Sequence, residues 1–172
     1  PSAVAPARMR IWNADGSRAE MCGNGLRCVA KYLYDHNLCR KSSFAVETDA
    51  GVKTVWLEIA EGTVRRVRVS MGVPVLDAAK IPTSLPGCPP LTAPLEVAGR
   101  VLNVACVSMG NPHCIVPVEE LTDETVLHLG PLIERHPAFP QRVNVEFVQV
   151  LARDQIRLRV WERGSGETRA CG

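Results

Sequence analysis

The chain has 172 residues, 46% of them hydrophobic, which is enough for one domain with a proper core or for two small ones. Its 20 basic and 18 acidic residues leave a net charge of +2, and no basic stripe interleaves with aromatics, so nucleic acid is excluded as the expected partner. There is no run of 18 or more apolar residues and no charged-then-apolar leader, so the pattern is that of a soluble protein without a membrane span.

In chain order, the first strong pattern is "NGLRCVAKYLYDHN" (24–37). Apolar Leu26, Val29, Ala30 and Leu33 follow the i, i+3, i+4, i+7 spacing of an amphipathic helix, and Asn37 is a suitable stop. "FAVETD" (44–49) and "KTVWLEI" (53–59) read as strands around an "AGV" turn, and "VRRVRVS" (64–70) reads as a third. The proline-rich stretch from Pro82 to Pro94 cannot be a regular element. "RVLNVACVS" (100–108) and "HCIVPV" (113–118) read as strands. "DETVLHLGPLIERH" (123–136) reads as a helix broken or kinked at Gly130-Pro131. "VNVEFVQV" (143–150) and "QIRLRVW" (155–161) complete the strands. Many strands and few helices predict an α+β fold with antiparallel sheets.

The seven cysteines (22, 28, 39, 88, 106, 114 and 171) are an odd number with no CxxC pair. This favours free thiols in a reducing cytoplasm over a disulfide framework or a structural zinc site, with most of them buried as small hydrophobes. Two internal echoes stand out. "RIWNADGSRAEMCG" (10–23) aligns without a gap on "RVWERGSGETRACG" (159–172), matching Arg, Trp, Cys and Gly; "VSMGVP" (69–74) echoes "VSMGNP" (107–112). Two related halves follow, residues 1–70 with Cys22 and residues 71–172 with Cys171, each a strand and turn that presents a thiol.

Cys22 stands at the mouth of the first helix, followed by Gly23, Asn24 and Gly25. A helix start carries about half a positive charge and four N–H groups without intrahelical partners. Glycines let those donors approach an anion closely. Such a place favours a thiolate, and it can also hold a carboxylate; a buried cysteine beside a glycine turn reads equally well. Two presented thiols suggest a two-base reaction, in which one removes a proton from carbon and the other returns a proton to the opposite face.

"NADGSRAEMCGNGLRC", "VSMGNPHC", "RVNVEF" and "ERGSGETRACG" closely resemble the diaminopimelate epimerases, in order and over essentially the whole chain. The resemblance implies two pseudo-symmetric domains, each a mostly antiparallel sheet around a central helix, with the site in the cleft between them. It implies interconversion of LL- and meso-diaminopimelate in lysine and peptidoglycan biosynthesis, in the cytoplasm, with no cofactor and no metal. The partner is the small-molecule substrate, and a homodimer is left open.

Residue by residue, the resemblance makes Cys22 and Cys171 the acid/base pair and Gly23, Asn24 and Gly172 donors to the reacting carboxylate. Asn13, Asn111, Asn144 and Arg163 surround the distal end of the substrate, Glu162 meets an ammonium group, and His113 lies near the thiols. Each has a plainer reading: Asn13 and Asn111-Pro112 as turns, His113 as a structural histidine, Glu162-Arg163 as a solvated pair. Asn144 interrupts a strand pattern, where asparagine is disfavoured. A proline racemase or hydroxyproline epimerase is the nearest rival, but has no use for a polar set at a distal amino-acid head; a non-catalytic scaffold is the other. The family's "GLGNDF"-like segment and the helix and strands after its second cysteine have no counterpart here. The chain therefore reads as a fragment lacking both ends, expected to be inactive as it stands.

Overall fold

The computed structural model describes residues 2–169, which form two compact units. The first comprises residues 2–12 and 18–72, and the second comprises residues 13–17 and 73–169.

The first unit is a four-stranded sheet packed on one helix. Strands β1 (Ala7–Arg8), β4 (Ser43–Thr48), β5 (Gly51–Ala60) and β6 (Thr63–Val69) lie in the order β1-β4-β5-β6, and α1 spans Gly23–Asp35. All neighbours are antiparallel except β1 and β4, which run parallel with Ala7 opposite Val46. A short hairpin, β2 (Ile11–Trp12) with β3 (Arg18–Ala19), precedes the helix. The turn between β4 and β5 falls at Asp49-Ala50, with Gly51 at φ 91°, rather than over "AGV" as the sequence suggested. Period-two patterning puts Phe44 and Val46 of β4 and Val55 and Leu57 of β5 on one face, where they meet Leu26, Ala30 and Tyr34 of α1. Val29 and Leu33 pack on the rim of this core. The helix ends as expected: Asn37 takes φ 61°, and Leu38 N–H donates back to Leu33 O at 2.9 Å. Lys31 and Asp35 tie the helix to β6, because Lys31 Nζ donates to Val64 O at 2.8 Å and Asp35 accepts from Val64 N–H at 3.1 Å.

The second unit is a six-stranded sheet in the order β12-β11-β10-β9-β8-β7, made of β7 (Ala93–Val97), β8 (Arg100–Ser108), β9 (Pro112–Pro117), β10 (Asn144–Ala152), β11 (Gln155–Glu162) and β12 (Gly166–Thr168). It is antiparallel except for the β9–β10 pair. Strand β7 enters the tail of the proline-rich stretch that was expected to be irregular. Pro94 is tolerated because β7 is the edge strand.

The helix expected over 123–136 is instead a π-helical turn, Thr125–Leu129, running into a short α2, Gly130–Glu134. Pro131 has no N–H to continue the ladder, so the break falls where the sequence placed it. Val126, Leu129 and Ile133 from this segment, with Phe139 and Val143, cover Leu95, Val104, Cys106, Cys114, Val116, Val145 and Phe147 of the sheet.

The sequence echo is repeated in the hydrogen-bond register. Ile11 pairs with Ala19 and Trp12 with Arg18 in the first hairpin. At the equivalent positions Val160 pairs with Thr168 and Trp161 with Glu167. In the shorter echo, Gly72 and Gly110 occupy corresponding places with φ of 90° and 106°, the left-handed region that glycine enters without steric cost.

Candidate active site

Cys22 is the N-cap of α1, with extended backbone angles (φ −144°, ψ 110°). Its Sγ accepts from Gly25 N–H at 3.3 Å and its carbonyl accepts from Leu26 N–H at 2.9 Å. The sulfur thus takes the place that a Ser or Asp oxygen usually fills at a helix start. Gly25 sits close beneath it: a Cβ there would lie 3.5 Å from the sulfur. Gly23 is buried, and the Asn24 side chain accepts from the Arg27 guanidinium. Cys22, Gly23 and Asn24 all belong to the first unit.

Most of the remaining candidates gather at one end of the six-stranded sheet. β9 and β10 are parallel, so their starts lie side by side, with His113 opposite Asn144. β11 runs antiparallel to β10, which brings its last residue, Glu162, to that same end. β8 ends there as well, at Ser108. Asn144 Oδ1 accepts from Arg163 N–H at 2.8 Å and so clamps the turn after β11. Arg163 also donates from its guanidinium to Gln141 O at 3.2 Å, while Glu162 accepts from the Thr168 hydroxyl. The solvated-pair reading of Glu162-Arg163 does not hold for Arg163, which is buried.

His113 is held on both sides. Its Nδ1 lies 2.6 Å from Glu146 Oε1 and its Nε2 lies 3.0 Å from Asn111 Oδ1.

Asn13 belongs to the second unit and behaves as a turn residue. Its side chain donates to Ser17 Oγ at 3.1 Å, and its carbonyl accepts from Gly16 N–H at 2.9 Å. In that turn the Ser17 hydroxyl and N–H, followed by Arg142, hold the Asp15 carboxyl well below the usual carboxylate range. Cys171 and Gly172, the other half of the expected pair, lie outside the described residues.

Three residues not anticipated from the sequence organise this end of the second unit. Glu146 was given no role from the sequence; β10 is covered on both faces along its first four residues, and Glu146 is buried among them. Glu134 is buried and accepts from Trp161 Nε1 at 2.9 Å, from Gly164 N–H at 2.9 Å and from Arg142 at 3.3 Å. Arg142 in turn donates to Asp15 at 2.8 Å. The available sequence signal was an acidic residue at a buried helix position, together with a Trp whose N–H needs an acceptor.

The thiols differ from expectation in their burial. Among the described cysteines only Cys106 and Cys114 are buried; Cys22 and Cys39 are half-buried, and Cys28 and Cys88 are exposed. Cys106 and Cys114 face each other across β8 and β9. The contact with Cys106 and the burial push the Cys114 thiol well above its ordinary value. Among the described residues no group of three or more His, Cys, Asp or Glu is placed to hold a metal ion, and no helix is long and apolar enough to cross a membrane.

Comparison with known proteins bears on this arrangement. A family model described as diaminopimelate epimerase matches residues 1–76 and 105–172. Proteins named diaminopimelate epimerase from Pelotomaculum thermopropionicum and Moorella thermoacetica are 54% and 52% identical over 172 residues. Those matches cover 100% of this chain but 61% and 62% of the relatives, so the chain spans about three fifths of their length. Among solved structures, a probable proline racemase from Agrobacterium radiobacter K84 superposes with a TM-score of 0.74 at 18% identity, over 97% of this chain and 53% of that one. A hydroxyproline epimerase from Agrobacterium vitis gives 0.71 at 16% identity, over 95% of this chain and 51% of that one. At such identities the two structures establish a shared fold and nothing finer. The family match covers most of the sequence and takes in both thiol-bearing repeats, and the chain belongs to the diaminopimelate epimerase family.

Proposed function

We propose that the protein to which this chain belongs epimerises LL-2,6-diaminopimelate to the meso form by a two-thiol acid/base reaction, without pyridoxal phosphate or metal, in the cytoplasmic route to lysine and peptidoglycan. One thiolate takes the α-hydrogen as a proton and leaves the electron pair on carbon, delocalised into the carboxylate. The second thiol gives its proton to the opposite face. The carbon is inverted, no proton is gained or lost overall, and the two sulfurs end with exchanged protonation states.

The observation that carries the reading is Cys22 as the cap of α1, a sulfur seated among the N–H groups that open a helix. Those groups and the helix dipole favour the negative charge that grows on the substrate carboxylate. In this reading Cys22 and Cys171 are the acid/base pair, and Gly23, Asn24 and Gly172 supply donors to the reacting carboxylate. Asn13, Asn111, Asn144 and Arg163 serve the distal amino-acid head. Glu162 meets an ammonium group and His113 supports proton transfer near the thiols. The sheet-end cluster of Asn111, His113, Asn144, Glu162 and Arg163 supports this division, because four of these residues stand within one hydrogen-bonded neighbourhood of adjacent strand ends.

The test uses the full-length frame of a close relative. Residues 1–172 replace the aligned stretch of the Pelotomaculum protein, which matches without leaving any of this chain uncovered. The chimera, dialysed against chelator and treated with a carbonyl reagent, is incubated with LL-diaminopimelate in D2O. The expected result is meso product carrying deuterium at the inverted carbon. A well-folded chimera that incorporates no deuterium would overturn the reading.

A further inference from the structure

The chain of side chains Glu146–His113–Asn111 has an internal logic that the proposed function does not use. Glu146 and His113 are both buried, and their contact at 2.6 Å is short, as charge-assisted hydrogen bonds are. The geometry follows from the register. His113 is opposite Asn144 and Ile115 is opposite Glu146, so His113 and Glu146 rise from one face of adjacent parallel strands. The other face of the same pair carries Cys114, Val116, Val145 and Phe147 into the core. Each side chain is thus pinned by a strand whose opposite face is fully packed.

We propose that Glu146 is a positioning residue that keeps a proton on His113 Nδ1, so that Nε2 is the one ring nitrogen able to lose or gain a proton, and that the Asn111 amide turns according to that proton. A carboxylate only accepts, so the nitrogen facing Glu146 must be the N–H. Neutral imidazole has one N–H, which leaves Nε2 as a lone pair pointing at Asn111. Asn111 then satisfies Nε2 only by offering its NH2, and its carbonyl is turned away from the ring. When Nε2 carries hydrogen, the amide offers Oδ1, the arrangement seen at 3.0 Å, and its NH2 is turned away. One proton on Nε2 therefore decides whether Asn111 presents a donor or an acceptor on its far side. Without Glu146 the ring is free to place its single hydrogen on Nε2 and this coupling is lost. The bearing on substrate rests on the function proposed above, in which Asn111 serves the distal head. The proton placement itself rests only on the fold.

The test is nitrogen NMR on the chain with 15N-labelled histidine, with His113 identified by the signal that disappears in His113→Gln. Two-bond and three-bond proton–nitrogen couplings tell which ring nitrogen bears hydrogen. The expected result is a protonated Nδ1 in the wild type at neutral pH. Glu146→Gln keeps an acceptor and should retain it, while Glu146→Leu should move the hydrogen of the neutral ring to Nε2. A bare Nδ1 in the wild type overturns the proposal, and this holds even if the leucine variant fails to fold. An unchanged Nδ1–H in folded Glu146→Leu overturns it equally. In the chimera, Glu146→Leu should lower kcat/KM roughly tenfold or more with Glu146→Gln largely restoring it, since a carboxylate that fixes a histidine tautomer governs rate strongly elsewhere. A switched tautomer with unchanged kcat/KM would overturn the link to the site. A chimera inactive even with Glu146 intact would count against the epimerase reading and leave the NMR result standing.

Discussion

Gly130→Ala tests whether the second unit is built around the close approach of Trp161 to the start of α2. A methyl group at position 130 would stand 2.8 Å from Trp161 Cγ and 2.9 Å from its Cβ and Cδ2. Unstrained carbon contacts lie at roughly 3.5–4.0 Å, so the indole must retreat. It is not free to do so, because its Nε1 donates to Glu134 Oε2 at 2.9 Å and Glu134 is held in place by Gly164 N–H and Arg142. Overpacking costs about 1–3 kcal/mol, and weakening a hydrogen bond to a buried carboxylate costs about 1.5–3 kcal/mol. Against this, alanine gains about 1 kcal/mol over glycine in a helix. The balance is a net loss of about 1.5–5 kcal/mol, seen as a lower urea midpoint with an unchanged slope. A double-mutant cycle isolates the cause. In a Trp161→Ala background the clash is gone, and Gly130→Ala should become neutral or stabilising by up to about 1 kcal/mol. Equal or greater stability of Gly130→Ala in the wild-type background, or the same loss without Trp161, would refute the close-packing argument.

Glu134→Ala should destabilise the second unit by about 2–4 kcal/mol, because it strands the Trp161 and Gly164 donors in the interior; calorimetry reads this. The Asp35 carboxyl is held below its usual value by Lys31 and then by Val64 N–H. Its contribution is therefore complete above the unfolded value near 4 and is lost as pH falls further, and Asp35→Asn should flatten the acid limb of a stability–pH profile. A thiol reagent should modify Cys28 and Cys88 in the native chain and reach Cys106 and Cys114 only on unfolding, which peptide mapping after timed labelling will show. In the active chimera, Cys22→Ala should lower inversion at least a thousandfold, or about 4 kcal/mol, while Cys28→Ala changes it little, as read by chiral chromatography.

Much of the local architecture was written in the sequence, because short-range rules set it. Apolar spacing marked α1, Asn37 marked its end, and Pro131 marked the break in the second helical segment; each depends on the backbone preferences of a few adjacent residues. The echo around Trp12 and Trp161 foretold a strand and turn in each half, and each closes as a hairpin in the same register although the turn residues differ. Cys22 at a helix mouth was legible for the same reason. What the sequence did not contain was burial that depends on distant partners. Nothing in the pattern of β10 marked Glu146, and only the parallel pairing of β9 with β10 sets it against His113. Glu134 carried no mark in its own segment, and the fold brings Trp161 and Gly164 to it. A lone strand or helix segment cannot say which of its polar residues another segment will cover. A buried polar group is tolerable only with its partners in place, so tertiary structure alone decided which charged residues became part of the interior.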